Sequence, residues 1–294
     1  VAFVLLYFVM KTAKYSIQQF NKDFPNDGAC LEYLFRSRFG KAKCPSCKRV
    51  GAYHRQEGTA HYVCNCGGHQ ISPKAGTIFE KSDTDLYKWF FAMWNMATAK
   101  NGVSAKELER QLSVTYKTAW RIAYQIRKLM EQEGGMFGGT VEADETYIGG
   151  KRHGTRGRGA KGKTAVFGMT ERKGRVYAKA VPNVQYKTVM PLIRANVKIG
   201  TEMMTDELGT YVHLQRDGYR HASIRHSAKE YVRGKVHTNT IEGFWGQLKR
   251  SIDGTHHNVS AKHLQRYVDQ HVWLWNGRAS ASPLFSELVK EASA

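Results

Sequence analysis

Three acids that lie far apart in this 294-residue chain, Asp144, Asp206 and Glu242, carry its most distinctive chemistry. Asp144 sits in Val141-Glu-Ala-Asp-Glu-Thr-Tyr-Ile148. That alternating stretch reads as a strand with Glu142, Asp144 and Thr146 on one face and Val141 and Ala143 on the other. Asp206 follows Glu202-Met-Met-Thr205, a short strand, and thirty-five residues separate it from Glu242. Glu242 belongs to His237-Thr-Asn-Thr-Ile-Glu-Gly-Phe-Trp-Gly-Gln-Leu-Lys-Arg250, which reads as the opening of an amphipathic helix. At about 100° per residue Lys249 falls two turns below Glu242 on the same face, and Asn239 joins that stripe if the helix begins early enough. A carboxylate with a cation below it suits a phosphate-handling site, although such pairs also decorate plain solvated helices.

Gathered in one place, three carboxylates repel and cannot all stay ionised at neutral pH unaided. A divalent cation resolves the conflict, and hard oxygen ligands select Mg²⁺ or Mn²⁺. Two such ions about 4 Å apart can activate an attacking oxygen and steady a leaving one during in-line displacement at phosphorus. No protein nucleophile is required, and the chain shows neither a G-x-S-x-G elbow nor a P-loop.

A second constellation lies upstream. Cys44-Pro-Ser-Cys47 and Cys64-Asn-Cys66 are separated by a β-type spacer (Tyr53, His54, Arg55, then His61, Tyr62, Val63). Two close cysteine pairs in that arrangement read as a zinc ribbon, in which four thiolates wrap one structural Zn²⁺. The second pair is C-x-C rather than C-x-x-C, so His69 or His61 could replace one thiolate. Cys30 falls on an apolar helical stripe with Leu31, Leu34, Phe35 and Phe39, and reads as a small buried hydrophobe behind an Asp27 cap.

Lys and Arg number 45 against 25 acids, a formal charge of +20 that calls for a polyanionic partner. A membrane surface is the poorer choice, because residues 1–10 form the only strongly apolar run and are too short to span a bilayer. That run also lacks the features of a signal peptide, and translation starting at Met10 would account for it. Five clustered or buried cysteines suit a reducing compartment.

Several elements must position these groups. A helix is expected over residues 82–100, capped by Ser82 and Asp85, with Leu86, Trp89, Phe90, Met93 and Ala97 inward. Ser104 to Glu107 is a capping box that opens a short helix to about Leu112. After the turn Ser113-Val114-Thr115 a second helix runs to about Met130, with Ala119, Ile122, Ile126 and Leu129 inward. Short helix, tight turn and longer basic helix have helix-turn-helix proportions, which would put Tyr116, Lys117, Thr118 and Arg121 in a DNA groove; a plain helical hairpin is the alternative. Gly134-Gly135 and Gly138-Gly139 mark a linker. Strands are then expected over 140–148, 164–170, 176–181, 202–205 and 222–226, with helices over 185–197, from the Glu242 segment and over 260–275. Between the first two strands Lys151, Arg152, Arg156, Arg158, Lys161 and Lys163 alternate with glycines, a loop suited to following a phosphate backbone without reading sequence. Trp245 reads as core.

The order implies an α/β fold with one mixed central sheet. The acids in Val-Glu-Ala-Asp144-Glu-Thr-Tyr-Ile-Gly-Gly, in Met-Met-Thr-Asp206-Glu-Leu-Gly, and Glu242 with Lys249 seven residues on together resemble the DDE signature of insertion-sequence transposases. With a zinc ribbon and helix-turn-helix ahead of that core, the chain is similar to the ISXO2-like transposases over residues 18–278.

The resemblance implies an RNase H-like catalytic core that binds the terminal inverted repeats of its element. It implies metal-dependent cutting of 3′ ends and their joining to target DNA, with two Mg²⁺ or Mn²⁺ ions held by Asp144, Asp206 and Glu242. Some members of the group place Asn in the third position, which keeps Asn239 beside Glu242 as a ligand. Lys249 and Arg250 would contact terminal DNA. A homodimer or larger assembly on DNA, a bacterial cytoplasmic, nucleoid-associated location and no membrane partner follow from the same resemblance. The expected domains are an apolar extension (1–17), an N-terminal helix with the ribbon (18–80), the helix-turn-helix region (81–133), the catalytic domain (138–278) and a C-terminal helix or tail (279–294). Two other readings of the same residues are a DNA-binding regulator with an inactive catalytic scaffold and a nuclease that cuts without joining.

Overall fold

In the computed structural model, residues 14–149, 162–172, 174–228, 230 and 232–294 are described. The expectations for residues 1–10 and for Lys151, Arg152, Arg156, Arg158 and Lys161 lie outside them. Two compact units form, one from residues up to Leu129 together with Ala279–Ala294, the other from Met130–Arg278.

The first unit opens with α1 (Ile17–Asp23), a helix too short and polar for its pattern to announce it. One aromatic anchors it. Phe20 is fully buried, and its ring centroid lies 5.7 to 5.9 Å from those of Phe24, Tyr87, Phe91, Trp94 and Phe285. Next, α2 (Asp27–Phe39) is capped by Asn26, whose side chain accepts the Ala29 N–H at 3.0 Å. Asp27, expected as the cap, instead accepts from the backbone N–H of Tyr87 at 3.1 Å. Strands β1 (Tyr53–Arg55), β2 (Tyr62–Cys64) and β3 (Gln70–Ile71) form an antiparallel sheet in that order.

Helix α3 (Leu86–Thr98) begins later than its pattern suggested. Ser82 does not cap it, because the Ser82 hydroxyl is spent inside the fold on the Trp89 indole N–H at 3.1 Å, and a buried indole needs an acceptor. Helix α4 (Ala105–Leu112) is capped by Ser104, which accepts the Glu107 N–H at 3.1 Å. The Glu107 carboxylate turns to Arg110 and Gln111. Ser113, left-handed at φ 49°, ends α4, and α5 (Tyr116–Leu129) follows with Ala119, Ile122, Ala123 and Ile126 buried. The last helix, Leu284–Ala292, buries Phe285, Leu288, Val289 and Ala292 in this unit.

The second unit is a five-stranded sheet. Strands β4 (Thr140–Ile148), β5 (Thr164–Glu171) and β6 (Val176–Val181) run antiparallel as a meander. After α6 (Tyr186–Asn196), β7 (Glu202–Thr205) pairs parallel to β4, and β8 (Arg220–Ser223) pairs parallel to β7. The spatial order is β6-β5-β4-β7-β8. Strand β8 starts at Arg220 rather than Ala222, because its register follows β7. Helix α7 (Asn239–Ser251) runs into a π-helical turn at Ile252–His256, and α8 (Ala261–Asn276) follows.

Alternation along the strands builds two cores. Val141, Ala143, Phe167 and Met169 face Val189, Met190 and Ile193 of α6, with Tyr211 and Leu214. Val166, Val176 and Ala178 face Ile241, Phe244 and Leu248 of α7 and Leu264 and Val268 of α8. Each large apolar side chain buried contributes about 1.5–3 kcal/mol. A one-residue slip of β4 would lose that on both faces and carry Asp144 to the wrong side of the sheet. Among the described residues no helix is long and apolar enough to cross a membrane.

Candidate active site and metal centre

Strand β4 carries Asp144 opposite Gly168 of β5. Its pairing with β7 runs from Thr140 and Glu202 to Glu142 and Met204, so Asp144, Glu145 and Asp206 lie just past the paired segment. Their carboxylates come together there: one oxygen from each lies within 4.8 Å of the others. The structure thus joins the two acids expected from the strands and adds Glu145.

The electrostatics show the crowding. Burial pushes the Asp144 carboxyl up to about 7, and the charges of Glu145, Asp206 and Glu242 push it the same way. Asp206 is fixed by its own turn, its Oδ1 accepting the Leu208 N–H at 2.9 Å. Tyr211, fully buried, points its hydroxyl to Glu145 Oε2 at 3.3 Å. Beneath them the Thr205 hydroxyl meets His221 Nε2 at 2.8 Å, and burial lowers the pKa of that imidazole.

Glu242 takes a different position. It lies exposed in the first turn of α7, accepts the Thr238 hydroxyl at 2.7 Å through Oε1, and stands outside the group of three, though close enough for its charge to act on Asp144. Asn239 is exposed at the start of α7, and Lys249 and Arg250 are exposed in its last turn.

Two residues that patterns of spacing overlooked tie α7 to β4. Glu142, wholly buried, accepts from Thr240 N at 2.8 Å, Thr240 Oγ1 at 3.0 Å and Ile241 N at 3.1 Å, and from Arg172 Nε at 2.9 Å. A carboxylate at a helix N-terminus satisfies N–H groups that have no partner within the helix. One turn on, the Trp245 indole N–H donates to Asp144 Oδ2 at 3.1 Å.

The cysteines form the other cluster. All four sulfurs of Cys44, Cys47, Cys64 and Cys66 lie within 4.8 Å of one another, with Cys44 to Cys66 at 3.8 Å and Cys47 to Cys64 at 3.5 Å. Gly67, at φ +71°, makes the second knuckle's tight turn, its N–H reaching Cys64 O at 2.7 Å. The cluster consists of these four sulfurs and includes neither His61 nor His69, whose Nδ1 meets the Tyr53 hydroxyl at 2.8 Å. Soft thiolates fit Zn²⁺ and hard carboxylates fit Mg²⁺ or Mn²⁺, so both clusters could hold a metal ion.

On α5, Tyr116 and Lys117 are exposed, with Lys106 Nζ 5.0 Å from the Tyr116 ring centroid, and Thr118 pairs with Thr115. The Arg121 guanidinium turns inward, donating to Ser82 Oγ at 3.1 Å and lying 5.8 Å from the Trp89 ring. Lys163 is exposed just before β5.

The chain thus combines a mixed sheet that has crowded acids beside its central strand with a cysteine cluster earlier in the sequence. Residues 136–276 match the ISXO2-like transposase domain. An uncharacterized transposase-like protein of Haemophilus influenzae is 30% identical over 120 residues, which are 40% of this chain and 96% of that protein. An uncharacterized protein in the transposable element ISH50 of Halobacterium salinarum is 27% identical over 247 residues, covering 76% of this chain and 82% of that protein. A chain from a pre-cleavage Mos1 transpososome shares 11% identity over 66% of this chain and 75% of its own length, at a TM-score of 0.28. The chain belongs to the ISXO2-like transposase family.

Proposed function

We propose that this transposase binds the terminal inverted repeats of its element, hydrolyses the 3′ ends and joins them to target DNA, on an RNase H-like DDE core. The observation that carries the reading is the meeting of Asp144 and Asp206 from two adjacent parallel strands. The order β6-β5-β4-β7-β8, three antiparallel strands followed by two parallel ones, supports the RNase H-like assignment.

Asp144 and Asp206 would hold a pair of Mg²⁺ or Mn²⁺ ions, with Glu242 or Asn239 from α7 completing the set. When bound, the ions supply Lewis acidity and an activated water or 3′ hydroxyl at phosphorus. The protein's own part is placement. Glu142 fixes the start of α7, and Lys249 and Arg250 on its last turn offer cations to the terminal phosphates. Lys163 and the basic loop Lys151, Arg152, Arg156, Arg158 and Lys161 would follow the backbone of the same duplex. Helices α4 and α5 serve as a helix-turn-helix that offers Tyr116, Lys117 and Thr118 to DNA, while the Arg121 guanidinium is held by Ser82. Cys44, Cys47, Cys64 and Cys66 hold a structural Zn²⁺. Joining two ends to one target calls for at least a dimer.

One observation favours a variant of the metal set. Glu145 lies with Asp144 and Asp206 while Glu242 stands outside, so Glu145 is an alternative third ligand. The test uses purified protein, Mg²⁺, labelled element-end DNA and a plasmid target. Asp144→Asn or Asp206→Asn should abolish cutting and joining while leaving the end-DNA mobility shift intact, and normal joining by either variant would refute the site. Cut ends without joined product from the unaltered protein would make it a nuclease, and a shift without cutting a binding module. Comparing Glu145→Gln with Glu242→Gln shows which of the two the chemistry needs.

A further inference from the structure

The Trp245 indole is held by two features of the sheet. Gly168 is the direct cross-strand partner of Asp144 in the antiparallel β4–β5 register. A Cβ at Gly168 would lie 2.5 Å from Trp245 Cη2 and 2.7 Å from Cζ2, so the missing side chain is the slot in which the six-membered ring of the indole sits. With its ring over Gly168, Trp245 points its N–H at the neighbouring strand and meets Asp144 Oδ2 at 3.1 Å. The side chain is 4% exposed, so this donation is the indole's replacement for water. Helix α7 cannot easily slide away from the contact. Glu142, two residues before Asp144 on the same face of β4, accepts the N–H groups of Thr240 and Ile241 and pins the helix one turn earlier.

We propose that Trp245 is a positioning residue for the catalytic metal site, its N–H setting the orientation of the Asp144 carboxylate among Glu145 and Asp206. The inference rests on the reading of Asp144 as a metal ligand. A neutral donor suits the role better than a lysine or arginine would. It restrains rotation of the carboxylate about Cβ–Cγ without placing a positive charge where a cation must bind. Hydrogen-bond partners of metal-ligating carboxylates act in this way, and removing one costs roughly 10- to 100-fold in metal affinity.

The test titrates full-length protein with Mn²⁺ and reads free Mn²⁺ by electron paramagnetic resonance, alongside thermal melts without added Mn²⁺ or Mg²⁺. Trp245→Phe keeps an aromatic ring on α7 but removes the N–H together with the outer ring carbons that sit over Gly168. It should melt within a few degrees of the unaltered protein and bind Mn²⁺ roughly tenfold more weakly or worse, with DNA cutting recovering as Mn²⁺ is raised to saturation. Gly168→Ala keeps the N–H and displaces the ring, so it should weaken Mn²⁺ binding too, and it serves as the second probe if the Phe variant does not fold. Unchanged Mn²⁺ affinity in a folded Trp245→Phe protein, with Asp144→Asn clearly weakened, overturns the role of Trp245 alone. Unchanged affinity in Asp144→Asn places the cation elsewhere and overturns the metal-ligand reading beneath it.

Discussion

Glu142 and Ile241 stand 99 positions apart, yet the carboxylate of one accepts the backbone N–H of the other at 3.1 Å. This bond, with its neighbours to Thr240, fastens the helix bearing Glu242, Lys249 and Arg250 to the strand bearing Asp144. A buried acid that touches no reacting group thereby fixes the spacing between those that would.

Loss of that acid should be costly. Glu142→Ala strips the Thr240 and Ile241 N–H groups and Arg172 of their shared acceptor, and leaving a buried donor without a partner costs about 1–3 kcal/mol. Glu142→Gln keeps an acceptor oxygen and should lose less. Urea denaturation of the two variants checks the ranking, and an Ala variant as stable as the parent would refute the fastening.

Gly168 should tolerate no side chain while Trp245 is present. Alanine there meets the indole at 2.5 Å, and overpacking of that kind costs about 1–3 kcal/mol. Adding Trp245→Phe shortens the facing ring, so the double variant should lose less stability than the sum of the singles. Additive losses in a double-mutant cycle would show that the two positions do not compete for space.

Stability should depend on pH in a sense set by Asp144, which burial and neighbouring acids push up to about 7. An unfolded aspartate titrates near about 3.9. Between those values the folded chain keeps a proton that the unfolded chain has released, so stability falls as pH rises from about 4 to about 7 and stays low above. Melts without added Mg²⁺ should show that decline, and Mg²⁺ should stabilise more at about pH 8 than at about pH 5. A metal-independent melting curve across the window would argue against a cation at the acids.

The cysteines should separate cleanly in their reactivity. Purified protein should carry about one zinc ion per chain by elemental analysis, and Cys64→Ser should lose it and loosen the cysteine cluster. Cys30, fully buried with its thiol pushed up to about 12 by that burial, should resist alkylation in the native protein and retain zinc as Cys30→Ser. Rapid alkylation of Cys30 in folded protein would contradict its burial.

The sequence by itself determined the local structure and the list of reactive groups. Period-two alternation placed β4, apolar stripes and a capping box placed the helices from α2 onward, and the cysteine spacing marked a thiolate cluster that the fold assembles. These are legible because side-chain direction repeats with backbone geometry over a few residues. Asp144 and Asp206 were visible as acids on strands, and the parallel pairing of β4 with β7 brings them together.

Tertiary structure alone decided the rest. Glu145 joins the acids because β4 passes beyond its pairing with β7, which alternation along one strand cannot reveal. Glu142 became a helix anchor, Trp245 a donor to Asp144, and Ser82 the acceptor of an indole instead of a cap. Each depends on a hydrogen bond of about 3 Å, and those of Glu142 and Trp245 join segments about a hundred residues apart. Distances of that kind follow from how whole elements dock, and no spacing along the chain encodes them.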